Sequence, residues 1–230
     1  PKGQLDVNEM LKIKSKRTGK DENVIQPWEA SFYYNQILKE KFDLDPEEVR
    51  KYFEFNNVTE GLFTIYQTLF DVRFKQVEHP SIWHEDVQMF EVYDRESKDL
   101  IGRFYLDMFP RPNKYGHAAA FSVTMGKMTD NGYQKPATAL VCNFPKPTEF
   151  QPSLLTHDNV ETYFHEFGHL VHGVLTESNL MSYAGTSVPR DFVEAPSQML
   201  ENWVWQKESL SLFAKHYETG EVIPDELLNK

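Results

Sequence analysis

The five residues 165–169, His-Glu-Phe-Gly-His, constrain the fold more than any other part of this 230-residue sequence. Histidines four positions apart lie about 6 Å apart on one face of an α-helix, so both imidazoles can bind one tetrahedral zinc ion. The glutamate after the first histidine can reach the open position of such an ion and take a proton from an attacking water. The spacing therefore predicts a helix in which His165 and His169 bind zinc and Glu166 is the general base.

The residues around this motif favour a helix. The segment 158–161, Asp-Asn-Val-Glu, has the form of a capping box. One face carries an apolar stripe made of Val160, Phe164, Phe167, Val171, Val174 and Leu175. At 100° per residue the histidines form a second stripe about 130° away, so one face can pack in the core while the other lines a cleft. The alternative for the bare motif is a chance match with two exposed histidines.

A third histidine lies on the histidine stripe. His172 is seven residues beyond His165, an axial separation of about 10 Å, which is too far for three imidazoles to meet one ion on a straight helix. The metzincin pattern needs glycine at position 172 and histidine at position 175, where this chain has His172 and Leu175. We therefore expect His172 to line the cleft or to form a hydrogen bond.

The remaining protein ligand is expected from a second helix, and Glu194 is the candidate. It lies in an apolar stretch, where an unpaired charge is costly, so it needs a partner. A metal, a buried salt bridge or a helix cap would each satisfy it. Asp191 and Glu201 are interpreted as a cap and a solvated residue, although either could instead accept a hydrogen bond that orients a metal-binding imidazole.

The order of predicted elements favours an α+β fold that is mostly helical. The first 25 residues are polar and are expected to form a loop or a loosely packed arm. Helices are predicted over 27–41, 46–55 and 58–72. Strands are predicted over 88–94, 100–108, 117–124 and 137–144, and the chain becomes helical again after them. We divide the chain into a helical segment, 1–80, and a catalytic core, 81–230.

Composition excludes several classes of function. The formal charge of −11 disfavours a nucleic-acid partner, which a basic face would bind. No apolar run approaches the roughly 20 residues that cross a membrane. The chain has one cysteine, Cys142, so no intrachain disulfide can form, which suits a reducing compartment and a cytoplasmic location. The segment 223–228 has the pattern of a helix start, and we expect the chain to be a fragment of a longer protein.

Three stretches carry a family resemblance: TYFHEFGHLVHG at 162–173, GT at 185–186 and DFVEAPSQMLENWVW at 191–205. Together they resemble the thimet oligopeptidase/neurolysin family of zinc oligopeptidases. The resemblance extends to IGRFYLDMFPRPNKYGHAAAF at 101–121, ALVCNF at 139–144 and HYETG at 216–220, and it is looser in the N-terminal third. This set of motifs is far more specific than the HExxH pattern alone.

The resemblance implies that His165, His169 and Glu194 bind zinc and that Glu166 is the general base. It implies a gluzincin-type enzyme that hydrolyses short peptides, is a monomer at full length, and has a zincin core in which a small sheet lies beside two metal-binding helices. In such enzymes a substrate pairs with an exposed sheet edge. We assign this edge to residues 139–144. The expected substrate contacts are Ala139, Val141, Asn143 and His172. An ordinary buried strand is the alternative for residues 139–144.

Two further alternatives remain. Full-length members of the family are longer and carry a downstream segment whose histidines and tyrosines contact the substrate, so this chain is expected to bind zinc and peptide but to cleave weakly or not at all. The other alternative is a different gluzincin, such as an aminopeptidase. The 24 residues between His169 and Glu194 disfavour it, because aminopeptidases of this type resemble a shorter spacing.

Overall fold

The computed structural model describes residues 2–229. Its helices are α1 (Lys2–Thr18), α2 (Ala30–Phe42), α3 (Pro46–Val49), α4 (Phe55–Leu69), α5 (His157–Val174), α6 (Glu194–Glu201), α7 (Lys207–Phe213) and α8 (Asp225–Leu228). Its strands are β1 (Val72–Gln76), β2 (Gln88–Asp94), β3 (Leu100–Asp107), β4 (Ala119–Thr124), β5 (Lys127–Thr129), β6 (Gly132–Gln134) and β7 (Ala137–Val141). Helices precede and follow the strands, which confirms the predicted α+β fold.

Within the described residues, five strands form one sheet in the order β1-β2-β3-β7-β4, and β5 pairs with β6 in a separate hairpin. The β2–β3 hairpin was predicted correctly, and its strands are antiparallel with Phe90 opposite Phe104. Strands β3 and β7 are parallel, and β4 runs antiparallel to β7. The sheet therefore ends on one side at β4, although β4 precedes its neighbour β7 in the sequence.

The predicted substrate edge is wrong. Strand β7 lies between β3 and β4, so Ala139 pairs with Tyr105 on one side and with Phe121 on the other. Its nearly continuous apolar run is typical of a strand that is covered on both faces. On this side of the sheet the edge strand is β4, where Phe121 and Val123 are 43% and 54% exposed.

The other residues of that prediction are also engaged within the fold. Val141 pairs with Asp107 and Ala119 as the last residue of β7. Asn143 lies beyond the strand, and its Nδ2 donates to the carbonyl oxygens of Tyr115 at 2.9 Å and His117 at 3.3 Å. The backbone of residues 139–141 is therefore used by the sheet itself.

Helix α5 packs its apolar face against the sheet and α4. The rings of Phe104 on β3 and Phe167 on α5 meet edge to face, with centroids 5.5 Å apart. On the α4 side, the Tyr66 hydroxyl donates to the carbonyl oxygen of Phe164 at 2.6 Å. Burying each such ring contributes about 1.5–3 kcal/mol. This packing fixes α5 and so sets the direction in which its opposite face points.

The start of α5 differs from the prediction by two residues. Thr156 is the N-cap: its Oγ1 accepts from the Asn159 backbone nitrogen at 3.2 Å, and the Asn159 side chain accepts from the Thr156 nitrogen at 3.2 Å. The predicted box at 158–161 therefore lies inside the helix. Asp158 remains in the first turn, where its charge is favourable beside the positive end of the helix dipole.

The N-terminal residues form a helix, contrary to the loop that their polarity indicated. Helix α1 packs against α2. The Lys14 ammonium lies 2.8 Å from Glu29 and 3.4 Å from Glu22. The segment contains four lysines and two leucines, which are good helix formers even where apolar periodicity is weak.

No helix within residues 2–229 is both long and apolar enough to cross a membrane. The division into segments 1–80 and 81–230 stays a prediction.

Candidate metal centre

The two histidines of α5 lie on the face opposite the core. Their ring centroids are 4.9 Å apart, and the rings are nearly perpendicular. Both side chains are largely shielded, with 22% of His165 and 13% of His169 exposed. The four-residue spacing thus produces the pairing of imidazoles that the sequence predicted.

Helix α6 approaches α5 closely because Gly168 lies at the crossing. A Cβ atom at Gly168 would lie 2.8 Å from the Ser197 Cα, a distance that side chains do not tolerate. The absence of a side chain there lets the first turn of α6 lie against the histidines. Glycine is therefore required here for close packing.

The close approach brings Glu194 to both imidazoles. Its Oε2 atom lies 3.3 Å from Nε2 of His165 and 3.0 Å from Nε2 of His169. One ligand atom from each of these three residues lies within 4.8 Å of the others. Two imidazole nitrogens and a carboxylate oxygen that converge in this way are the donor set of a catalytic zinc site with one open position, so the residues fit the metal that the sequence predicted.

The carboxylate of Glu194 is held from its own helix. Ser197 is fully buried, and its hydroxyl donates to Glu194 Oε2 at 3.0 Å. Burial opposes ionisation of Glu194, but this hydrogen bond and the two neighbouring imidazoles outweigh burial and lower its pKa. Glu194 is therefore negatively charged at neutral pH, as a metal ligand must be.

Glu166 occupies a different environment from Glu194. It is partly buried, and burial raises the pKa of its carboxyl. The imidazoles of His165 and His169 and the backbone N–H of Ala120 on β4 oppose this rise. The charge of Glu194 adds to it. Two carboxylates in one site thus have pKa values that their surroundings shift in opposite directions.

The sequence model of peptidase family M3 matches the chain over residues 1–230. The chain belongs to this family. It is 42% identical to saccharolysin of Saccharomyces cerevisiae over 225 residues, 94% of this chain and 32% of that protein. It is 40% identical to oligopeptidase A of Escherichia coli over 233 residues, 100% of this chain and 34% of that protein. It is also 42% identical to a thimet-like oligopeptidase of Dictyostelium discoideum over 207 residues, 88% of this chain and 31% of that protein.

These comparisons confirm the oligopeptidase family that the HEFGH and DFVEAPSQ motifs indicated. The M3 chain spans about a third of the length of these curated relatives. The structure brings His165, His169 and Glu194 of this M3 chain together, as the sequence predicted.

The other predicted site residues of the M3 chain have mixed outcomes. His172 is partly buried, and its Nδ1 has no hydrogen-bond partner among the described residues. Burial and the nearby His169 lower the pKa of His172. Its contact with a substrate stays a prediction. Asp191 is exposed ahead of α6, whereas Glu201 reaches His165.

Sequence reasoning missed Ser197 and Gly168. Ser197 lies three residues after Glu194, and on a helix this spacing places two side chains next to each other. That spacing could have indicated the hydrogen bond. Nothing in the sequence marks Gly168 as a crossing point, because the crossing depends on how α6 packs.

Proposed function

We propose that this chain carries the catalytic metal centre of a zinc-dependent oligopeptidase that hydrolyses short peptides. His165, His169 and Glu194 would hold the zinc, and Glu166 would act as general base. The convergence of these three ligand groups within 4.8 Å carries the proposal. Membership in peptidase family M3 supports it independently.

The chemistry divides between the metal and the residues of the chain. When bound, zinc polarises the scissile carbonyl and lowers the pKa of a water toward about 7. Glu166 accepts the proton of the attacking water and transfers it to the leaving amine. Its raised pKa supports this role, because a more basic carboxylate holds the proton more readily between the two transfers.

Strand β4 is the proposed binding edge for the peptide. It is the sheet edge beside Glu166, since the backbone N–H of Ala120 faces that carboxylate. An extended peptide can add to such an edge through main-chain hydrogen bonds, and this mode tolerates many side chains. The position of α5 against β3, β7 and β4 supports a zincin-type core.

Zinc content tests the metal centre. The chain is dialysed against trace zinc at neutral pH, and bound metal is measured by elemental analysis. The unmodified chain and Glu166→Gln are expected to hold one equivalent, and His169→Ala is expected to hold little. Absence of zinc from the unmodified chain, or retention by His169→Ala, would contradict the ligand assignment.

Peptide cleavage tests the general base. In the full-length protein, Glu166→Gln should abolish cleavage of a fluorogenic peptide while zinc stays bound. Full activity of that variant would contradict the role of Glu166. Cleavage by the isolated chain is expected to be weak, and turnover equal to that of the full-length protein would overturn this expectation.

The cytoplasmic location and the monomeric state stay predictions.

A further inference from the structure

The ring of His165 lies between two carboxylates of α6. Its Nε2 atom faces Glu194, and its Nδ1 atom lies 2.5 Å from Oε1 of Glu201. The contact is a charge-assisted hydrogen bond, in which Nδ1–H donates to a carboxylate oxygen. Both nitrogens of this imidazole are therefore engaged by one helix.

Glu201 is placed for this contact by the periodicity of α6. It lies seven residues after Glu194, which is two helical turns, so both side chains lie on the same face of the helix. Ser197 and Leu200 of this helix are buried, and they fix it against α5. The Glu201 side chain is 28% exposed, so it is partly shielded from competing water.

The stability of α6 does not explain a carboxylate at this position. Glu201 is the last residue of α6, and a negative charge there lies at the negative end of the helix dipole. The hydrogen bond to His165 is the contact that offsets this unfavourable placement.

We infer that Glu201 is a positioning residue, which fixes the His165 ring with its proton on Nδ1 and its lone pair on Nε2. The inference rests on the proposed metal centre. An ionised carboxylate only accepts hydrogen bonds, so the proton lies on the nitrogen that makes the closer contact: Nδ1 is 2.5 Å from Glu201, whereas Nε2 is 3.3 Å from Glu194. A neutral imidazole then has its free lone pair on the other nitrogen, which is the atom directed at Glu194.

The two ligand histidines differ in this respect. Among the described residues, no carboxylate accepts a hydrogen bond from Nδ1 of His169, whose ion pair with Glu194 is made through Nε2. The hydrogen bond to Glu201 therefore acts on His165 alone. Loss of this carboxylate should change the tautomer of His165 and leave the tautomer of His169 unchanged.

The test compares Glu201→Leu, which removes the acceptor, with Glu201→Gln, which keeps an acceptor oxygen. Gln198→Leu is the matched control, because Gln198 is an exposed residue of the same helix. Zinc affinity is measured by competition with a chromophoric chelator. We expect Glu201→Leu to weaken zinc binding by about 10–100-fold, as loss of a hydrogen bond to a metal-binding histidine typically does. Glu201→Gln should retain most of the affinity, and Gln198→Leu should match the unmodified chain.

A second readout does not depend on the metal. Long-range ¹H–¹⁵N spectra at pH 8 report the tautomer of each neutral histidine in the metal-free protein, and the spectrum of His165→Ala assigns the signals. We expect the Nδ1–H form for His165 in the unmodified chain and in Glu201→Gln. Glu201→Leu should lose this preference, while His169 stays unchanged.

Three results would overturn the inference: an Nε2–H tautomer of His165 in the unmodified chain, an unchanged tautomer in Glu201→Leu, or equal loss of affinity in Glu201→Leu and Glu201→Gln. The last result would mean that Glu201 acts only through the packing of the helix. If the unmodified chain binds no zinc, the proposed metal centre fails, and the tautomer still decides whether Glu201 positions the ring.

Discussion

Replacement of Gly168 by alanine should weaken zinc binding without a large loss of folding stability. The new Cβ would lie 2.8 Å from the Ser197 Cα and 3.3 Å from the Ser197 Cβ. The nearest of these atoms belongs to the backbone, so no rotation of a side chain can remove the contact. Helix α6 must move away from α5, and Glu194 must move with it.

The size of this displacement follows from the contact distance. Carbon atoms pack best at about 3.5–4.0 Å, so the crossing must open by roughly 0.7–1.2 Å. A zinc site tolerates deviations of about 0.2 Å in its ligand distances. The displacement is several times larger, so Glu194 can no longer bind the ion together with the two imidazoles. We expect zinc affinity to fall by at least about 10-fold, the lower end of what milder changes around a metal ligand cause.

Folding stability is the less sensitive readout for this variant. Alanine is favoured over glycine in a helix by about 1 kcal/mol. Overpacking in a core costs about 1–3 kcal/mol, so the two effects partly cancel. Zinc affinity is therefore measured by chelator competition, and urea unfolding in the presence of a chelator monitors the stability of the metal-free chain.

Two other glycines provide controls for Gly168→Ala. A Cβ at Gly173 would lie 2.7 Å from Thr138 Oγ1, so Gly173→Ala overpacks the same helix against β7 without pushing α6. A Cβ at Gly3 would meet nothing within 4 Å, so Gly3→Ala changes helix propensity alone. Both variants should retain zinc affinity. A folded Gly168→Ala chain that binds zinc as tightly as the unmodified one would refute the reasoning.

Two further predictions concern buried polar groups. Ser197→Ala removes the hydroxyl that donates to Glu194, so zinc affinity should fall by up to about 10-fold in chelator competition, and an unchanged affinity would count against this contact. Burial opposes ionisation of Asp107, but hydrogen bonds from Arg111, Lys114 and Trp83 lower its pKa to about 2. The ionised carboxylate therefore stabilises the fold above its ordinary pKa, and about 2 kcal/mol should be lost between pH 5 and pH 2. Urea unfolding across this range should show a smaller pH dependence in Asp107→Asn, and equal pH dependences would contradict the assignment.

Helix α5, which carries the HEFGH motif, could be predicted from the sequence because its geometry is local. The spacing of His165 and His169 fixes the relative positions of the two side chains on any α-helix, and the apolar stripe indicates which face is buried. The predicted helix start lies two residues too late, because residues 156–159 and 158–161 both offer capping side chains. Only the structure shows that Thr156 is used.

Strand order could not be predicted in the same way. The sequence predicts both β4 and β7 approximately, but no local sequence pattern indicates that β7 pairs with β3 and that β4 lies at the edge of the sheet. That choice depends on contacts between distant segments, so the edge was assigned to the wrong strand. The continuous apolar run of residues 139–142 was the available signal for an interior strand.

The role of Glu201 remained open for a similar reason. From the sequence it could be a solvated residue or a partner of an imidazole, because the answer depends on the crossing of α5 and α6. That crossing is set by Gly168 and Ser197, which the sequence does not mark as neighbours.

The position of β4 outside β7 has a consequence for local opening of the sheet. β4 pairs with β7 alone, so within the sheet it is held from one side only. A strand held from one side opens more easily than the interior strand beside it. Backbone amides of β4 should therefore exchange with solvent faster than those of β7. The proposed peptide-binding edge would thus open more often than the strand that supports it.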